Sequence, residues 1–446
     1  MSPLNIFLTT WNTGLQGSKA QSQDLTSWLL PVLKNTEGND IPDIYAIGVQ
    51  ELLPVHLALA GLSRPVLSIL TERIQSLLSS HATSLSSEKK PETYKLVSRV
   101  SHVGVALWIF ARENTMNGRL GKPLSTSLGL WYGGMGNKSA VGIRLPIKRF
   151  DDGGWEVLTF VNTHLEAHDK NIARRNKQYE NILSSLVFQP SDPLAEPYQI
   201  FDSSHIFIMG DLNYRLSKRP LSNQLIDGKE NDDILKLEKD RFEMVDLDTL
   251  RKEQREGRVF GGLREGDLTR FAPTYKRVVG QVEGYSKKRI PGWTDRILFA
   301  SYTDPPHLFS PQEYLTPTIP SGEISDNTTK IIHFSSTPEL TISDHKPVHA
   351  ILLLPSPSPS LSTNATSPHL SPKLPNSPSP HKPRPKPTSK EVLLAWKLLG
   401  MFLDRLIGYP WTIIILLGGG NEKTGLGVSA FLAMIWGVWW SGVWSA

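Results

Sequence analysis

Six apolar segments of this sequence border acid, amide or imidazole side chains. Each segment has the composition of a buried β-strand, and the polar group sits where the chain leaves or enters it. A single polar group of this kind would not indicate a function, because strand ends often carry polar residues. Six are hard to attribute to chance. They are Thr10-Trp11-Asn12, Gln50-Glu51, Asn162-Thr163-His164, Asp211-Leu212-Asn213, Trp293-Thr294-Asp295 and Ser343-Asp344-His345.

These side chains have the chemistry of a metal-assisted site. Carboxylate and amide oxygens suit a hard cation such as Mg²⁺. The two histidines can transfer protons or stabilise anions near neutral pH. The chain has no cysteine, which excludes disulfides and thiolate ligands. If the sheet order brings the strand ends to one rim, the sequence predicts a site there.

Strands alternate with amphipathic helices over residues 1–354. Many of the strands are continuously apolar, as expected when both faces of a sheet are covered. The pattern predicts an α/β fold, a layered sandwich. Predicted strands are 5–11, 43–50, 103–111, 139–145, 155–163, 205–210, 296–300 and 346–354, and predicted helices are 22–34, 55–80, 171–187 and 231–245.

The positive charge lies in the C-terminal part of the chain. Eight Lys or Arg and three Asp or Glu follow residue 350, which accounts for the whole net charge of +5. Residues 1–350 are therefore neutral overall, with 40 basic and 40 acidic side chains. A duplex-binding protein needs an extended phosphate-neutralising surface, so this distribution argues against nucleic acid as a partner.

The composition changes abruptly after residue 354. Residues 355–390 hold eleven prolines and nine serines, which predicts a disordered linker that ends in four clustered basic residues. Residues 391–446 are predicted to be a hydrophobic membrane anchor. Its crossing is best placed at 424–446, which has 23 positions without a charge. The uncharged run 406–420 would then form a hairpin with it. A helical subdomain in solution is the competing interpretation.

Seven motifs carry a family resemblance across residues 5–352. In chain order they are TWNT, GVQEL, FVNTHLEA, GDLNYR, FAPTYKR, KKRIPGWTDRILF and SDHKPV. Their order resembles the inositol polyphosphate 5-phosphatases of the DNase-I-like endonuclease/exonuclease/phosphatase superfamily. With the tail, the chain is most similar to a membrane-tail-anchored, fungal-type phosphoinositide 5-phosphatase. The resemblance implies a four-layer α/β sandwich in which helices flank two packed mixed sheets.

The resemblance also implies catalytic and metal-binding roles. Asn12 and Glu51 correspond to the Mg²⁺ site, and Asp344 to a supporting carboxylate that lies on the metal side or forms hydrogen bonds. Asp211 resembles the residue that orients or deprotonates the attacking water, and Asn213 positions it. The remaining catalytic residues are His345, whose ring is held by Asp295, and a second phosphate-contacting histidine, His164.

Substrate binding is expected from local cations and the entrance loop. The resemblance places the phosphate next to the scissile one, the 4-phosphate, among basic side chains of residues 274–293. The stretch 131–142 is not a dinucleotide loop, because its spacing is wrong and it precedes a strand. Expected substrate-binding residues are Asn137, Lys138, Arg215, Tyr275, Lys276, Lys287, Lys288 and Arg289.

The predicted function is Mg²⁺-dependent hydrolysis of the 5-phosphate of phosphatidylinositol 4,5-bisphosphate at a membrane surface. The protein is expected to be a monomer, anchored by its tail and attracted to anionic lipid by residues 382–390, with its catalytic domain in the cytosol, at the endoplasmic reticulum. Three alternatives remain: soluble inositol 1,4,5-trisphosphate as main substrate, a DNase-I-like endonuclease, and a catalytically dead membrane tether.

Overall fold

Two six-stranded mixed sheets pack face to face in the part of the chain that is described. The computed structural model describes residues 3–19, 24, 26–34, 41–86, 91–149, 154–192, 194–217, 238–286, 289–304, 328–356, 368, 371–374 and 384–444. The strands are β1 (Leu4–Asn12), β2 (Ile44–Gln50), β3 (Tyr94–His102), β4 (Val105–Arg112), β5 (Leu124–Gly129), β6 (Ser139–Lys148), β7 (Trp155–His164), β8 (His205–Asp211), β9 (Arg264–Glu265), β10 (Asp295–Ser301), β11 (Lys330–Ser336) and β12 (Val348–Leu354).

The strand order is β11-β12-β1-β2-β4-β3 in one sheet and β5-β6-β7-β8-β10-β9 in the other. Only β1 with β2 and β7 with β8 run parallel among these pairs. The described helices are α1 (Leu29–Lys34), α2 (Val55–Leu59), α3 (Arg64–Leu85), α4 (Glu113–Met116), α5 (Ile172–Ser185), α6 (Glu238–Val245), α7 (Thr249–Arg255), α8 (Lys390–Leu417) and α9 (Glu422–Trp444).

Three apolar clusters hold the layers together. The largest fills the space between the two sheets. A second joins the outer face of the first sheet to α1 and α3. A third joins the outer face of the second sheet to α5 and α7. The fold is therefore α-β-β-α, and the prediction of a four-layer sandwich of two mixed sheets is confirmed.

The eight predicted strands are all present, but their neighbours at the sheet edges were not predicted. The predicted strand 103–111 is the second half of a hairpin, because β3 ends at His102 and β4 begins at Val105. The predicted helix 55–80 is two helices, α2 and α3. The chain turns between them at Gly61, whose φ is +78°, and Pro65 stands in the first turn of α3.

The other predicted helices are shorter than expected. The prediction 22–34 is helical over Leu29–Lys34, and 171–187 is helical over Ile172–Ser185. The prediction 231–245 is helical over Glu238–Val245, and its first seven residues lie outside the described part.

Much of the predicted linker, including 357–367 and 375–383, also lies outside the described residues. Two described pieces contact the two-sheet domain. Leu374 is buried in the third apolar cluster, and Arg384 pairs with Asp202 at 3.1 Å.

A buried arginine holds the start of β10. Arg296 is fully buried, and its Nη1 donates to both carboxylate oxygens of Asp248 at 3.0 Å. Its Nε donates to Glu265 at 2.8 Å. Asp248 also caps α7 by accepting from the backbone N–H of Arg251 at 3.0 Å.

We expect Asp248→Ala to lower the free energy of unfolding by about 3–5 kcal/mol, because it leaves a buried guanidinium partly unpaired and removes a helix cap. Denaturant unfolding measures this. Asp246→Ala is the control, because the Asp246 side chain is 67% exposed in its pair with Arg255. Equal loss in both variants would contradict the expectation.

Candidate active site

The parallel strand pairs bring the polar strand ends to one rim. The carboxyl ends of β1 and β2 in one sheet, and of β7 and β8 in the other, point the same way within each pair. The antiparallel β10 starts on that rim, since Asp295 pairs in register with Asp211. His164 pairs with Asp211 on the other side of β8. The sheet topology thus places these three side chains on adjacent strands.

Polar side chains join the two sheets beneath the rim. Asn12 Nδ2 donates to Asp211 Oδ2 at 3.0 Å. Gln50 Nε2 donates to Asn162 Oδ1 at 2.6 Å, and Asn162 Nδ2 donates to the Val49 carbonyl at 3.0 Å. Only glycine fits at position 48 beside the Asn162 side chain, because a Cβ at Gly48 would lie 2.7 Å from the Asn162 amide carbon. These bonds fix the distance between the two halves of the site.

Asp211 is a buried carboxyl group with a raised pKa. Burial raises its pKa most, His345 and Lys138 lower it, Asp295 raises it, and together these effects bring the pKa to about 6. Its Oδ1 accepts from the Asn213 backbone N–H at 3.0 Å. A carboxylate with a pKa close to neutrality is well suited to accept a proton from water.

His345 and Asp295 form a buried ion pair. His345 Nδ1 lies 2.9 Å from Asp295 Oδ2, and Nε2 lies 3.8 Å from Asp211 Oδ2. Burial lowers the pKa of His345, but Asp295 and Asp211 outweigh it and raise the pKa to about 9. Thr274 and Thr294 donate to Asp295 at 2.6 and 3.0 Å. The imidazole is therefore charged at neutral pH and can stabilise anionic oxygens.

The His164 ring, in contrast to that of His345, is neutral. Burial lowers its pKa well below the usual value, and Lys138 and His345 lower it further. Lys138 Nζ lies 2.6 Å from its Nε2, so the neutral ring accepts a hydrogen bond there. The same nitrogen lies 3.4 Å from Asp211 Oδ2. Two histidines on one rim are thus held in different protonation states, which is typical of active sites.

Two residues of the rim have a left-handed backbone. Glu51 has a φ of +48° and Asn213 a φ of +57°, conformations that side-chain-bearing residues seldom adopt. Such strain concentrates at functional sites. Asn213 Nδ2 donates to the Leu165 carbonyl at 3.0 Å, and Arg215 donates to Asn213 Oδ1 at 3.2 Å. The turn after β8 is therefore held tightly against the turn after β7.

The residues present fit a hard divalent cation. Asp211, Asp295 and His345 place ligand atoms within 4.8 Å of one another. An ion between Asp295 and His345 would, however, replace an ion pair that is already satisfied. Glu51 offers a better position, because its side chain is 37% exposed and its Oε1 lies 3.8 Å from His164 Nε2. Glu51, Asp211 and the Asn12 amide oxygen would supply the oxygen ligands that Mg²⁺ prefers.

Three predicted substrate-binding residues, Tyr275, Arg215 and Lys276, lie on the His345 side of the rim. The Tyr275 ring packs against His345 with 4.6 Å between ring centroids, and the Arg215 guanidinium stacks on Tyr275 at 4.7 Å. Lys276 Nζ pairs with Asp344 Oδ2 at 2.6 Å. Asp344 is therefore paired with a cation on the substrate side, and its role as a metal ligand stays a prediction.

Two further predicted substrate-binding residues lie within the described part of the chain. Asn137 is half-buried beside Lys138, and Arg289 is exposed. Lys287 and Lys288 lie outside the described residues. The catalytic and binding roles assigned to all these positions stay predictions.

Sequence reasoning missed residues that position the site rather than line it. Thr274 lies in the FAPTYKR motif but was not selected. Ser343 Oγ donates to the Asn12 carbonyl at 2.7 Å and accepts from the His345 backbone N–H at 3.1 Å. Arg215 Nη1 pairs with Asp169 at 3.3 Å. The signal for Ser343 was its place in a strand-end group. For Asp169, on a 3₁₀ turn, there was none.

The profile of the Endonuclease/Exonuclease/phosphatase family 2 matches residues 9–351. The chain belongs to this family. It is 28% identical over 334 residues to Type I inositol polyphosphate 5-phosphatase 8 of Arabidopsis thaliana, covering 66% of this chain and 64% of the relative. It is 31% identical over 363 residues to Phosphatidylinositol 4,5-bisphosphate 5-phosphatase A of Mus musculus, covering 78% of this chain and 30% of the relative. The chain thus spans less than two thirds of the Arabidopsis relative and less than a third of the mouse relative.

A solved structure supports the same assignment. The inositol polyphosphate 5-phosphatase domain of SpSynaptojanin, in complex with inositol (1,4)-bisphosphate and calcium ion, matches with a TM-score of 0.56 and 26% identity. The match covers 79% of this chain and 84% of that one. The resemblance to inositol polyphosphate 5-phosphatases is therefore confirmed, and so is the DNase-I-like fold.

Proposed function

We propose that this protein is a Mg²⁺-dependent phosphoinositide 5-phosphatase. It hydrolyses the 5-phosphate of phosphatidylinositol 4,5-bisphosphate and leaves phosphatidylinositol 4-phosphate. One observation carries the proposal: a base with a raised pKa, Asp211, lies beside a charged imidazole, His345, at a rim with an oxygen-rich metal position. That arrangement suits hydrolysis of a phosphate monoester.

The residues divide the reaction between them. Asp211 orients the attacking water and accepts its proton. The oxygen of that water bonds to phosphorus, and the bond from phosphorus to the inositol oxygen breaks. The inositol oxygen takes up a proton from solvent to become a hydroxyl, and Asp211 releases its proton to solvent as phosphate leaves. The His345 imidazolium and the Lys138 ammonium stabilise the phosphoryl oxygens. A cation on Glu51 and Asn12 supplies further charge neutralisation when bound.

The substrate class is supported by the relatives and by local charge. One relative is named for phosphatidylinositol 4,5-bisphosphate. The ligand in the SpSynaptojanin structure carries phosphates at positions 1 and 4 and none at 5, as a product of 5-phosphate removal would. On this chain, Lys276 and Arg289 provide local positive charge that can bind the 4-phosphate, even though residues 1–350 have no net charge.

A substrate panel tests the proposal. With Mg²⁺, we expect phosphate release from phosphatidylinositol 4,5-bisphosphate vesicles and from soluble inositol 1,4,5-trisphosphate, faster from the lipid. EDTA should abolish both activities, and added Mg²⁺ should restore them. Preference for the soluble trisphosphate would favour the first alternative. Nicking of abasic DNA without phosphate release would replace the proposal with an endonuclease, and no activity would favour a tether.

We also propose that the C-terminal tail anchors a monomer to a membrane, with the catalytic domain in the cytosol, at the endoplasmic reticulum. Among the described helices, α8 is long and apolar enough to cross a bilayer, with a mean hydropathy of 1.4 over its most apolar window. The sequence favours 424–446 instead, and α9 covers this run as far as Trp444. The two helices form a hairpin around residues 418–421, in which Gly425 packs against the Ile414 carbonyl.

Deletion of 391–446 should move the protein from the membrane pellet to the soluble fraction. Resistance of the full chain to alkaline carbonate extraction measures how firmly the tail is inserted. If the truncated chain still pellets with membranes, another surface is the anchor.

A further inference from the structure

Helix α8 is docked on the catalytic domain beside the active-site mouth. Four of its residues, spaced by four, are buried: Gly400, Asp404, Gly408 and Thr412. They form a stripe along the helix, which we call the docking stripe. The stripe packs on α2 and on the loop 131–136 that precedes Lys138.

Close backbone contacts hold the docking stripe. A Cβ at Gly400 would overlap the Gly134 carbonyl, and a Cβ at Gly408 would overlap the backbone of Leu59 and Ala60. Asp404 accepts from the Gly136 backbone N–H at 3.2 Å. A side chain larger than hydrogen at either glycine would therefore separate the helix from the domain.

Polar bonds within and beside the docking stripe fix the position of α8 along its axis. Arg405 donates to the Leu59 carbonyl, and Thr412 Oγ1 donates to the His56 carbonyl at 3.3 Å. The contacted backbone lies close to the site: Gly136 is two residues from Lys138, whose ammonium lies 2.6 Å from His164. The helix thus borders the mouth.

The opposite face of α8 is apolar and exposed. Leu398, Phe402 and Leu406 are 57%, 62% and 56% exposed. Each lies two positions from a stripe residue, which puts it on the far side of the helix. Exposed leucines continue this surface at Leu394 and Leu416. An apolar face of this length beside a site for a lipid substrate fits a lipid bilayer.

A docked α8 does not cross the bilayer. Asp404 and Arg405 lie at its middle, and charged residues at the bilayer centre are strongly unfavourable. Both are instead bonded to the catalytic domain. A crossing helix would also draw α2 and the loop 131–136 into hydrocarbon. The helix therefore lies along the interface.

We propose that α8 is an interfacial helix that couples the catalytic domain to the membrane. Its docking stripe binds the domain, its outward face enters the lipid, and the active-site mouth is thereby held toward the bilayer. This inference rests on the proposed function only for its lipid substrate.

The first experiment needs no enzymatic activity. The chain has no cysteine, so Phe402→Cys and, as control, Glu180→Cys on α5 can each be labelled with an environment-sensitive dye in the full chain. In phosphatidylcholine/phosphatidylserine vesicles we expect a blue shift and quenching by shallow spin-labelled lipid at 402, and neither at 180. Quenching only by deep spin labels, or an unchanged emission at 402, would overturn the proposal.

The second experiment separates orientation from chemistry. Gly400→Leu and Gly408→Leu should lower turnover of phosphatidylinositol 4,5-bisphosphate in vesicles at least about tenfold and leave turnover of soluble inositol 1,4,5-trisphosphate within about twofold. Vesicle binding should persist. Gly427→Leu on α9 is the matched control, because no atom lies within 4 Å of a Cβ there.

The outcomes distinguish the two proposals. Equal loss on both substrates, or no loss on either, would overturn the role of α8. If the unmodified chain hydrolyses neither substrate, the proposed function fails, and the dye measurements still decide whether α8 lies docked at the interface.

Discussion

Asp211→Asn is expected to lower kcat for phosphate release by about 10²–10⁴-fold, the usual contribution of a general base. The amide keeps the size of the side chain and an acceptor for the Asn213 backbone N–H, which lies 3.0 Å from Oδ1. It cannot take a proton from water. Steady-state kinetics on soluble inositol 1,4,5-trisphosphate measures the loss without any contribution from membrane binding.

The fold of this variant should be intact. Since the folded state raises the pKa of Asp211 to about 6, its stabilising contribution is present at low pH and is lost as pH rises through that value. At pH 7 the ionised carboxylate therefore costs stability. The unfolding temperature of Asp211→Asn should stay close to that of the unmodified chain, because removal of the buried charge offsets the loss of the hydrogen bond that Asn12 Nδ2 donates to Asp211 Oδ2. Asp246→Asn is the control for activity. Near-normal turnover in Asp211→Asn would remove the residue from the mechanism.

The interior of both sheets could be predicted from apolar runs alone. The eight predicted strands are β1, β2, β4, β6, β7, β8, β10 and β12. The four missed strands, β3, β5, β9 and β11, are the four edges of the two sheets. Edge strands are partly exposed and carry polar residues, as in YKLVSRVSH of β3, so their sequences lack the continuous apolar pattern of a central strand.

The convergence of the strand-end residues at one rim could be predicted, but their electrostatic states could not. Strand ends and motifs both pointed to His164 and His345, and the resemblance implied that Asp295 holds the ring of His345, but nothing in the sequence indicated that the two rings differ in charge. The structure separates them by their neighbours: the ammonium of Lys138 faces one ring and the carboxylate of Asp295 faces the other. Such contacts join residues 26 and 50 positions apart, and no local pattern encodes them.

The docking stripe of α8 was also outside the reach of sequence patterns. Residues 406–420 were recognised as an uncharged run, and the charged residues Asp404 and Arg405 set its predicted start. In the structure the helix begins at Lys390, because Ser389 caps it and the charges bond to backbone groups of the catalytic domain. Hydropathy alone ends an apolar segment at such charged residues. Here the helix continues through them, because their side chains bond to the neighbouring domain.

Asp295→Asn is expected to move the alkaline limb of the pH profile for kcat/KM. The His345 imidazolium is present below its pKa of about 9 and is lost as pH rises through that value. Without the Asp295 carboxylate, burial of the ring dominates, so the pKa of His345 falls and activity should be lost at lower pH. At pH 7 we expect a decrease of about 10²–10³-fold, similar to removal of one preorganised donor to an anionic transition state.

His345→Gln separates the charge of the imidazolium from the position of the side chain. Glutamine can still donate a hydrogen bond but never carries the positive charge, so activity should fall at least as far as in Asp295→Asn and lose its alkaline limb near pH 9. The proton affinity can also be followed without turnover, from the pH dependence of the His345 ring resonances in the unmodified chain and in Asp295→Asn. An alkaline limb that stays in place in Asp295→Asn, together with an unchanged ring titration, would mean that Asp295 does not hold the charge on His345. Because Asp211 also faces the ring at 3.8 Å, Asp211→Asn should lower the same pKa by a smaller amount, which places the three side chains in one coupled unit.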